Sequence, residues 1–375
     1  MKFVVSGTEL SACLSSVSRV ISTKNTIPIL DNFLLVLKDG HLNITASDLE
    51  TTLKASLPID HIEEEGEITI PAKLLVDSLK EFADIPLEFK TNNNLTSIEI
   101  TWSNGNSNLP CTNGDDYPAL SPISSEKTKI SIEAPTLLEA INRTIYATAE
   151  EELRPVMNGV FFDIEPDSTT IVASDAHKLI CYTRHDIKSD NAVAFILPKK
   201  PASILKTILA KAYEPVAIEF DQKNAYFQFE KFVLVCRLVE GNYPAYRSVI
   251  PKSNINKLSI NRQDLLNSLR RVSVCSNQAS SLIKLNLSYN QLVVSAQDLD
   301  FSISAQERLN CQYEGEPMEI GFKSTFMIEI LSNLPHTDVS LELSDPTRAA
   351  LILPLENSDP NEEITALIMP MMVSA

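Results

Sequence analysis

Apolar residues along this chain follow two rhythms in a fixed order. Short stretches with an apolar residue at every second position predict half-buried strands, and stretches with apolar residues three and four apart predict amphipathic helices. A strand is predicted over Phe3–Val5, then a helix from about Thr8 to Ser22 with Leu10 and Leu14 on its inner face. Strands follow near Ile29–Leu37, His41–Ala46, Thr51–Leu57 and Ile68–Ile70. Pro71 then opens a second helix, PAKLLVDSLKEF, at the first helical position, where proline is well tolerated. Strands near Leu87–Lys90, Leu95–Trp102 and Ser107–Thr112 complete the set. The unit therefore reads as two similar β-α-β-β-β halves.

The same order returns twice more. KFVVSGTELSACLSSVSRV opens at Lys2, KISIEAPTLLEAINRTIYA at Lys129 and KLSINRQDLLNSLRRVSVC at Lys257, 127 and 128 residues apart. Superposed, Leu10, Leu137 and Leu265 coincide, as do Leu14, Ile141 and Leu269. The second helices of the later copies are LPKKPASILKTILAKA and GFKSTFMIEILSNL. Further on, each copy carries a related phrase: TASDLE with Asp48, VASDAH with Asp175, SAQDLD with Asp298. A period this long is a whole domain rather than a solenoid unit. The expectation is an α+β chain of three like domains, residues 1–124, 125–252 and 253–375, each with two helices against about eight antiparallel strands.

Composition excludes several classes. Nine glycines in 375 residues, with no G-x-x-x-x-G-K-S/T or G-x-G-x-x-G phrase, speak against a nucleotide-cradling loop, and no G-x-S-x-G elbow is present. No apolar run is long enough to span a bilayer. The opening MKFVVSGTEL has no signal-peptide core, so a cytoplasmic location is expected. Cys13, Cys111, Cys181, Cys236, Cys275 and Cys311 form no C-x-x-C pair and lie at no zinc spacing, and are read as reduced structural thiols. No metal or cofactor is expected.

The net charge of −17 argues against tight phosphate binding. Its distribution is uneven. Over residues 8–24, 71–83, 135–149, 198–213, 262–275 and 323–334, the predicted helices and their flanks, Lys and Arg exceed Asp and Glu by seven, which leaves −24 elsewhere. Carrying the third segment on through the acidic run Glu150–Glu152 lowers the excess to four. A mildly positive helix set in an acidic shell suits loose contact with DNA. It also fits the ordinary preference of exposed helix positions for Lys and Arg.

Two places carry candidate chemistry. Ser174, Asp175 and His177, with His185 nearby, could form the acid–base group of a hydrolase or half a metal site. Against that, Asp175 is the second copy's version of the aspartate also present as Asp48 and Asp298, which marks a turn. The other place is the end of the chain, TALIMPMMVSA. Pro370 cannot donate to a central ladder, and methionines suit a surface that accepts varied apolar partners, so Met369–Met372 read as part of a peptide-docking site.

MKF at the start, TIPIL at Thr26–Leu30, VASDAHKL at Val172–Leu179, LVEGNYPAYRSVIP at Leu238–Pro251, EIGF at Glu319–Phe322 and MPM at Met369–Met371 occur in this order on a threefold repeat. Together they resemble the beta subunit family of bacterial DNA polymerase III, the sliding clamps, over the whole chain. The resemblance implies the DNA clamp fold. A head-to-tail homodimer would form a pseudo-sixfold ring of six domains, with twelve helices lining the hole and a continuous sheet outside. It implies a non-enzymatic processivity factor that encircles duplex DNA at the nucleoid. The implied partners are the polymerase III catalytic subunit, the clamp loader, other polymerases, mismatch repair proteins and ligase. They would dock by short peptides, with no membrane involved. The implied groove comprises Arg154, Met157, Ser174, Ala176, His177, Lys178, Leu179, Pro244, Val249, Met369, Pro370 and Met371, and the implied DNA-facing residues are Lys24, Lys73, Lys199, Lys200 and Lys206. The chain departs from the family pattern at Lys178 and Ser248, where arginine can stand, and in its MPMMVSA tail. Glu150–Glu152 put acids in a loop that often offers polar contacts to DNA. A monomeric scaffold that does not bind DNA is the competing reading.

Overall fold

The computed structural model describes the whole chain apart from residues 23, 24, 26, 120–123, 125, 151–153, 358, 374 and 375. It divides into two compact units, residues 1–138 with 200–238, and residues 139–199 with 239–375. The described residues include the α-helices α1 (Gly7–Val17), α2 (Ala72–Leu79), α3 (Ala134–Thr144), α4 (Lys199–Ile208), α5 (Arg262–Val272) and α6 (Ser324–Asn333).

In the first unit, a five-stranded sheet runs in the order His61–Glu64, Lys2–Ser6, Pro86–Thr91, Ser97–Trp102, Gly105–Pro110. A nine-stranded sheet joins the first repeat to the second. Its order is Thr112–Asn113, Gly66–Pro71, Asn32–Lys38, His41–Ser47, Thr51–Pro58, then Phe232–Arg237, Asn224–Phe229, Val216–Phe220 and Thr128–Ile132. The join is the antiparallel pairing of Thr51–Pro58 with Phe232–Arg237, Leu53 opposite Leu234.

The second unit repeats the plan. Its nine-stranded sheet runs Val193–Pro198, Gly159–Ile164, Thr169–Ser174, Lys178–Arg184, then Glu362–Ile368, Ala350–Pro354, Asp338–Leu343, Asn256–Asn261 and Gln312–Glu314. Here Lys178–Arg184 of the second repeat pairs with Glu362–Ile368 of the third. A four-stranded sheet, Ile303–Asn310, Gln291–Asp298, Leu282–Ser288, Met318–Lys323, completes it.

The superposed apolar positions are core in every copy: Leu10, Leu137, Leu265, Leu14, Ile141 and Leu269 are each at most 1% exposed. Truncating any one to alanine would cost about 2–5 kcal/mol. Side-chain caps begin α1 and α5. The Ser6 hydroxyl accepts from Glu9 N at the start of α1, and the Asn261 side chain accepts from Gln263 N and Asp264 N at the start of α5.

Several predicted boundaries shift. α1 ends at Val17 and tightens into a 3-10 turn over Ser18–Val20, short of Ser22. The strand predicted from Ile29 begins at Asn32, because Pro28 opens a 3-10 turn over Pro28–Asp31. α2 stops at Leu79, and the strand predicted from Leu95 begins at Ser97, since Leu95 sits at φ 53° in a turn. His61–Glu64, an acidic edge strand on Lys2–Ser6, has no apolar alternation to announce it.

Candidate partner-binding groove

Three segments of the second unit converge where the second repeat meets the third: the turn after Thr169–Ser174, the NYPAYRSV segment, and the end of strand Glu362–Ile368. Between them lies a groove of about 320 Å³. Its base is a cluster of buried side chains, Val172, Leu179, Cys181, Tyr246, Leu351 and Leu367. Burial pushes the Cys181 thiol up to about 12, so it is an inert apolar group here. Tyr243 stacks on Phe161 at 4.6 Å between ring centroids, and the Tyr246 hydroxyl donates to Asp163 Oδ2 at 2.7 Å. These contacts hold one wall rigid.

The turn on the other side is built by Asp175. Its Oδ1 accepts from His177 N at 2.9 Å and from Lys178 N at 2.8 Å, while Ala176 takes φ 73°. Asp48 does the same in the first repeat, accepting from Glu50 N and Thr51 N with Leu49 at φ 76°. In the third, Asp298 accepts from Asp300 N and Phe301 N. The remaining oxygen of Asp175 accepts from Lys178 Nζ at 2.8 Å. Both carboxylate oxygens are thus engaged within the turn, the arrangement of a turn residue. His177 is exposed, its ring 6.0 Å from that of Phe326.

Lys178 stands differently from a rim cation. Its side chain is 5% exposed, and Nζ lies 2.8 Å from Asp175 Oδ2, 3.0 Å from Glu329 Oε2 and 4.3 Å from the Phe326 ring centroid. The Glu329 contact is an ion pair without hydrogen-bond geometry. Two carboxylates therefore hold the ammonium, so Lys178 is an internally paired cation rather than a free charge on the rim. Ser248 donates back to Ala245 O, and Arg247 pairs with Asp163 and Glu165.

Of the residues expected in the groove, Met157, Ser174, Ala176, Lys178, Leu179, Pro244, Val249 and Met369 line it. Arg154, His177, Pro370 and Met371 do not. Arg154 is exposed, while the other three act through the backbone or sit beyond the rim: His177 O accepts from Met369 N, and Met371 N donates to Gly321 O. Tyr243, Ala245, Tyr246 and Leu367 are lining residues that the sequence reading left out. The first three lie inside the quoted LVEGNYPAYRSVIP phrase, where the aromatic pair was the available signal.

Family models for the N-terminal, central and C-terminal domains of the DNA polymerase III beta subunit match residues 1–121, 131–245 and 247–372. The chain belongs to the beta sliding clamp family. A beta sliding clamp of Synechococcus elongatus is 30% identical over all of both chains. One of Haemophilus influenzae is 29% identical over 99% of this chain and 100% of its own. Among solved structures, the DNA polymerase III subunit beta of Bartonella birtlesii, bound to griselimycin, superposes with a TM-score of 0.93 at 30% identity over the full length of both chains. The architecture is therefore three clamp domains.

The helix lysines differ in how they are held. Lys73 on α2 and Lys206 on α4 are exposed. Lys199 is paired with Glu150 Oε1 at 2.9 Å. Lys200 donates to Val20 O at 2.6 Å and pairs with the Asp48 carboxylate. Elsewhere on the helices Arg143 pairs with Glu139, Arg271 with Glu307, and Arg262 donates to His336 O and Leu331 O. Lys199, Lys200 and Arg271 are thus neutralised by acids outside the helices. Lys24, Glu151 and Glu152 lie outside the described residues.

Proposed function

We propose that this member of the beta sliding clamp family acts as a head-to-tail homodimer encircling duplex DNA, with the groove around Leu179 and Tyr246 as its peptide-docking site. As a DNA sliding clamp it tethers a polymerase and confers processivity. One observation carries the dimer. Each nine-stranded sheet forms where the last strand of one repeat's first half pairs with the last strand of a neighbour's second half: Thr51–Pro58 with Phe232–Arg237, and Lys178–Arg184 with Glu362–Ile368. The equivalent strands that remain are Ile303–Asn310 and Gly105–Pro110, each at the edge of its sheet. Their sheets have four and five strands, so pairing two copies through these edges would make a further sheet of nine and cover both open ladders. Val274 and Phe301, 76% and 72% exposed, belong to the same repeat as that edge and would be shielded with it.

The natural divisions on this reading are 1–124, 125–252 and 253–375. The DNA-facing set is reduced in strength to Lys73 and Lys206, with Lys199 and Lys200 held by acids. A ring does not need a strong grip, because topology keeps it on the duplex. It works at the nucleoid in the cytoplasm, takes no part in bond-making itself, and engages the polymerase catalytic subunit, the clamp loader and repair proteins through one groove. No described helix is long and apolar enough to cross a membrane, and no metal-holding cluster occurs among the described residues.

Sedimentation velocity at micromolar concentration tests the dimer. A species of twice the 41.5 kDa chain mass, reduced to monomer by Val274→Asp, is expected. A monomer throughout would favour the scaffold reading instead.

A further inference from the structure

The chain leaves its last strand at Ile368 and is then held at two points. Met369 N donates to His177 O at 2.8 Å, and Met371 N donates to Gly321 O at 2.8 Å. Pro370, between them, has no N–H to satisfy. The second bond belongs to an isolated antiparallel bridge between Met371 and Gly321. Gly321 lies within strand Met318–Lys323, opposite Lys284 of the neighbouring strand. Glycine in such a place weakens a sheet, since it brings extra chain entropy and no side chain to pack. Its φ lies outside the left-handed region, so the backbone conformation does not call for it.

Space does. A Cβ built on Gly321 would stand 2.8 Å from Leu282 Cδ1, 2.8 Å from Val373 Cγ2 and 2.9 Å from Met371 O. The two methyl groups can swing aside. The Met371 carbonyl is backbone and moves only if the tail moves. We infer that Gly321 is the seat of the C-terminal tail. Its missing side chain admits residues 371–373 against the strand, and the bridge to Met371 fixes Met369 in the groove wall. It is a positioning residue, since it touches no occupant of the groove. The inference rests on the peptide-docking reading of that groove.

If Gly321 mattered only to its sheet, alanine would be neutral or stabilising. If it seats the tail, alanine leaves the fold intact and loosens Met369 and Met371. The probe is the tightest binder from a panel of fluorescein-labelled apolar hexapeptides, chosen to match the apolar lining and read by anisotropy. It is measured against the full chain, Gly321→Ala, the chain lacking residues 371–375, and the two changes combined. Gly321→Ala should weaken binding about tenfold, the scale of one lost hydrogen-bonded contact. It should also speed amide exchange at Met369 and Met371 with no fall in melting temperature. Combined with the truncation it should add nothing further, because both changes act through the same segment. Unchanged binding and unchanged exchange in Gly321→Ala would overturn the inference, and so would losses that multiply in the combined chain. If no peptide binds the unaltered chain, the groove reading fails. Exchange at Met371 still decides on the seat.

Discussion

Arg184 and Glu362 are direct partners across the antiparallel pairing that joins the second repeat to the third. The Arg184 side chain is only 8% exposed. It pairs with Asp186, with Asp359 at 2.7 Å and, more loosely, with Glu362 at 3.7 Å. Tyr182 donates its hydroxyl to the same Glu362 oxygen at 3.1 Å. Arg184→Met would leave Glu362 buried without its cation, while Asp186 and Asp359 can turn to water. The expected loss is about 3 kcal/mol, the low end for breaking a buried pair, read from the urea midpoint at pH 7. Glu362→Gln keeps an acceptor for Tyr182 and should cost far less. Equal losses would mean that the pair is not the unit that matters.

The same cluster sets a pH dependence with two limbs. Burial, reinforced by Glu139, holds the Glu362 carboxyl above the ordinary glutamate value, while Arg184 holds Asp186 below the ordinary aspartate value. Backbone donation from Asn361, with Arg184, does the same for Asp359. A raised carboxyl binds its proton more tightly when folded. Its contribution is therefore present at low pH and is lost as pH rises from the ordinary value through the raised one. The two aspartates act oppositely, stabilising above their ordinary value and losing this as pH falls through their lowered ones. Denaturation across pH 3 to 8 should show Glu362→Gln removing the decline on the alkaline side and leaving the acid limb in place. A parallel displacement of the whole curve would contradict the assignment.

Asp175 should behave as a structural residue of the groove. Asp175→Ala removes two backbone acceptor contacts and the Lys178 ion pair. It should cost about 2 kcal/mol, and peptide binding with it. Asp175→Asn retains an acceptor for His177 N and Lys178 N and frees only the ammonium, so most of the stability should remain. Thermal melts of the two variants compare them directly. Indistinguishable melts would show that the turn contacts are not what the residue supplies.

Val249 is 57% exposed on the groove rim, so a charge there leaves the core untouched. Val249→Glu should lower peptide affinity at least tenfold by anisotropy, with an unchanged melting temperature, because a carboxylate cannot be desolvated under an apolar ligand. Undiminished binding would move the docking site elsewhere.

Much of this was legible in the chain. The threefold spacing placed Leu10, Leu137 and Leu265 in equivalent cores, because helix periodicity survives without tertiary context. Recurrence at Asp48, Asp175 and Asp298 favoured a turn over an active site, and the bonds to the following amides bear that out. Tyr243, Tyr246 and Leu367 were missed because a groove is made by strands far apart in sequence. Periodicity says that Leu367 is buried but not what it faces. The pairing of Lys199 with Glu150 and of Lys200 with Asp48 is invisible to a charge count for a similar reason, since those acids reach them only in the folded chain. The acidic strand His61–Glu64 is specified by its neighbour Lys2–Ser6 rather than by its own pattern.

The central claim, that the dimer holds DNA by enclosing it, is tested by loading the labelled protein onto nicked circular DNA with its clamp loader, raising the salt to about 1 M, where screening extends only about 3 Å, and then cutting the circle. Retention on the closed circle at high salt, followed by complete loss on linearisation, is the predicted result. Release by salt alone, equal for circular and linear DNA, would contradict it.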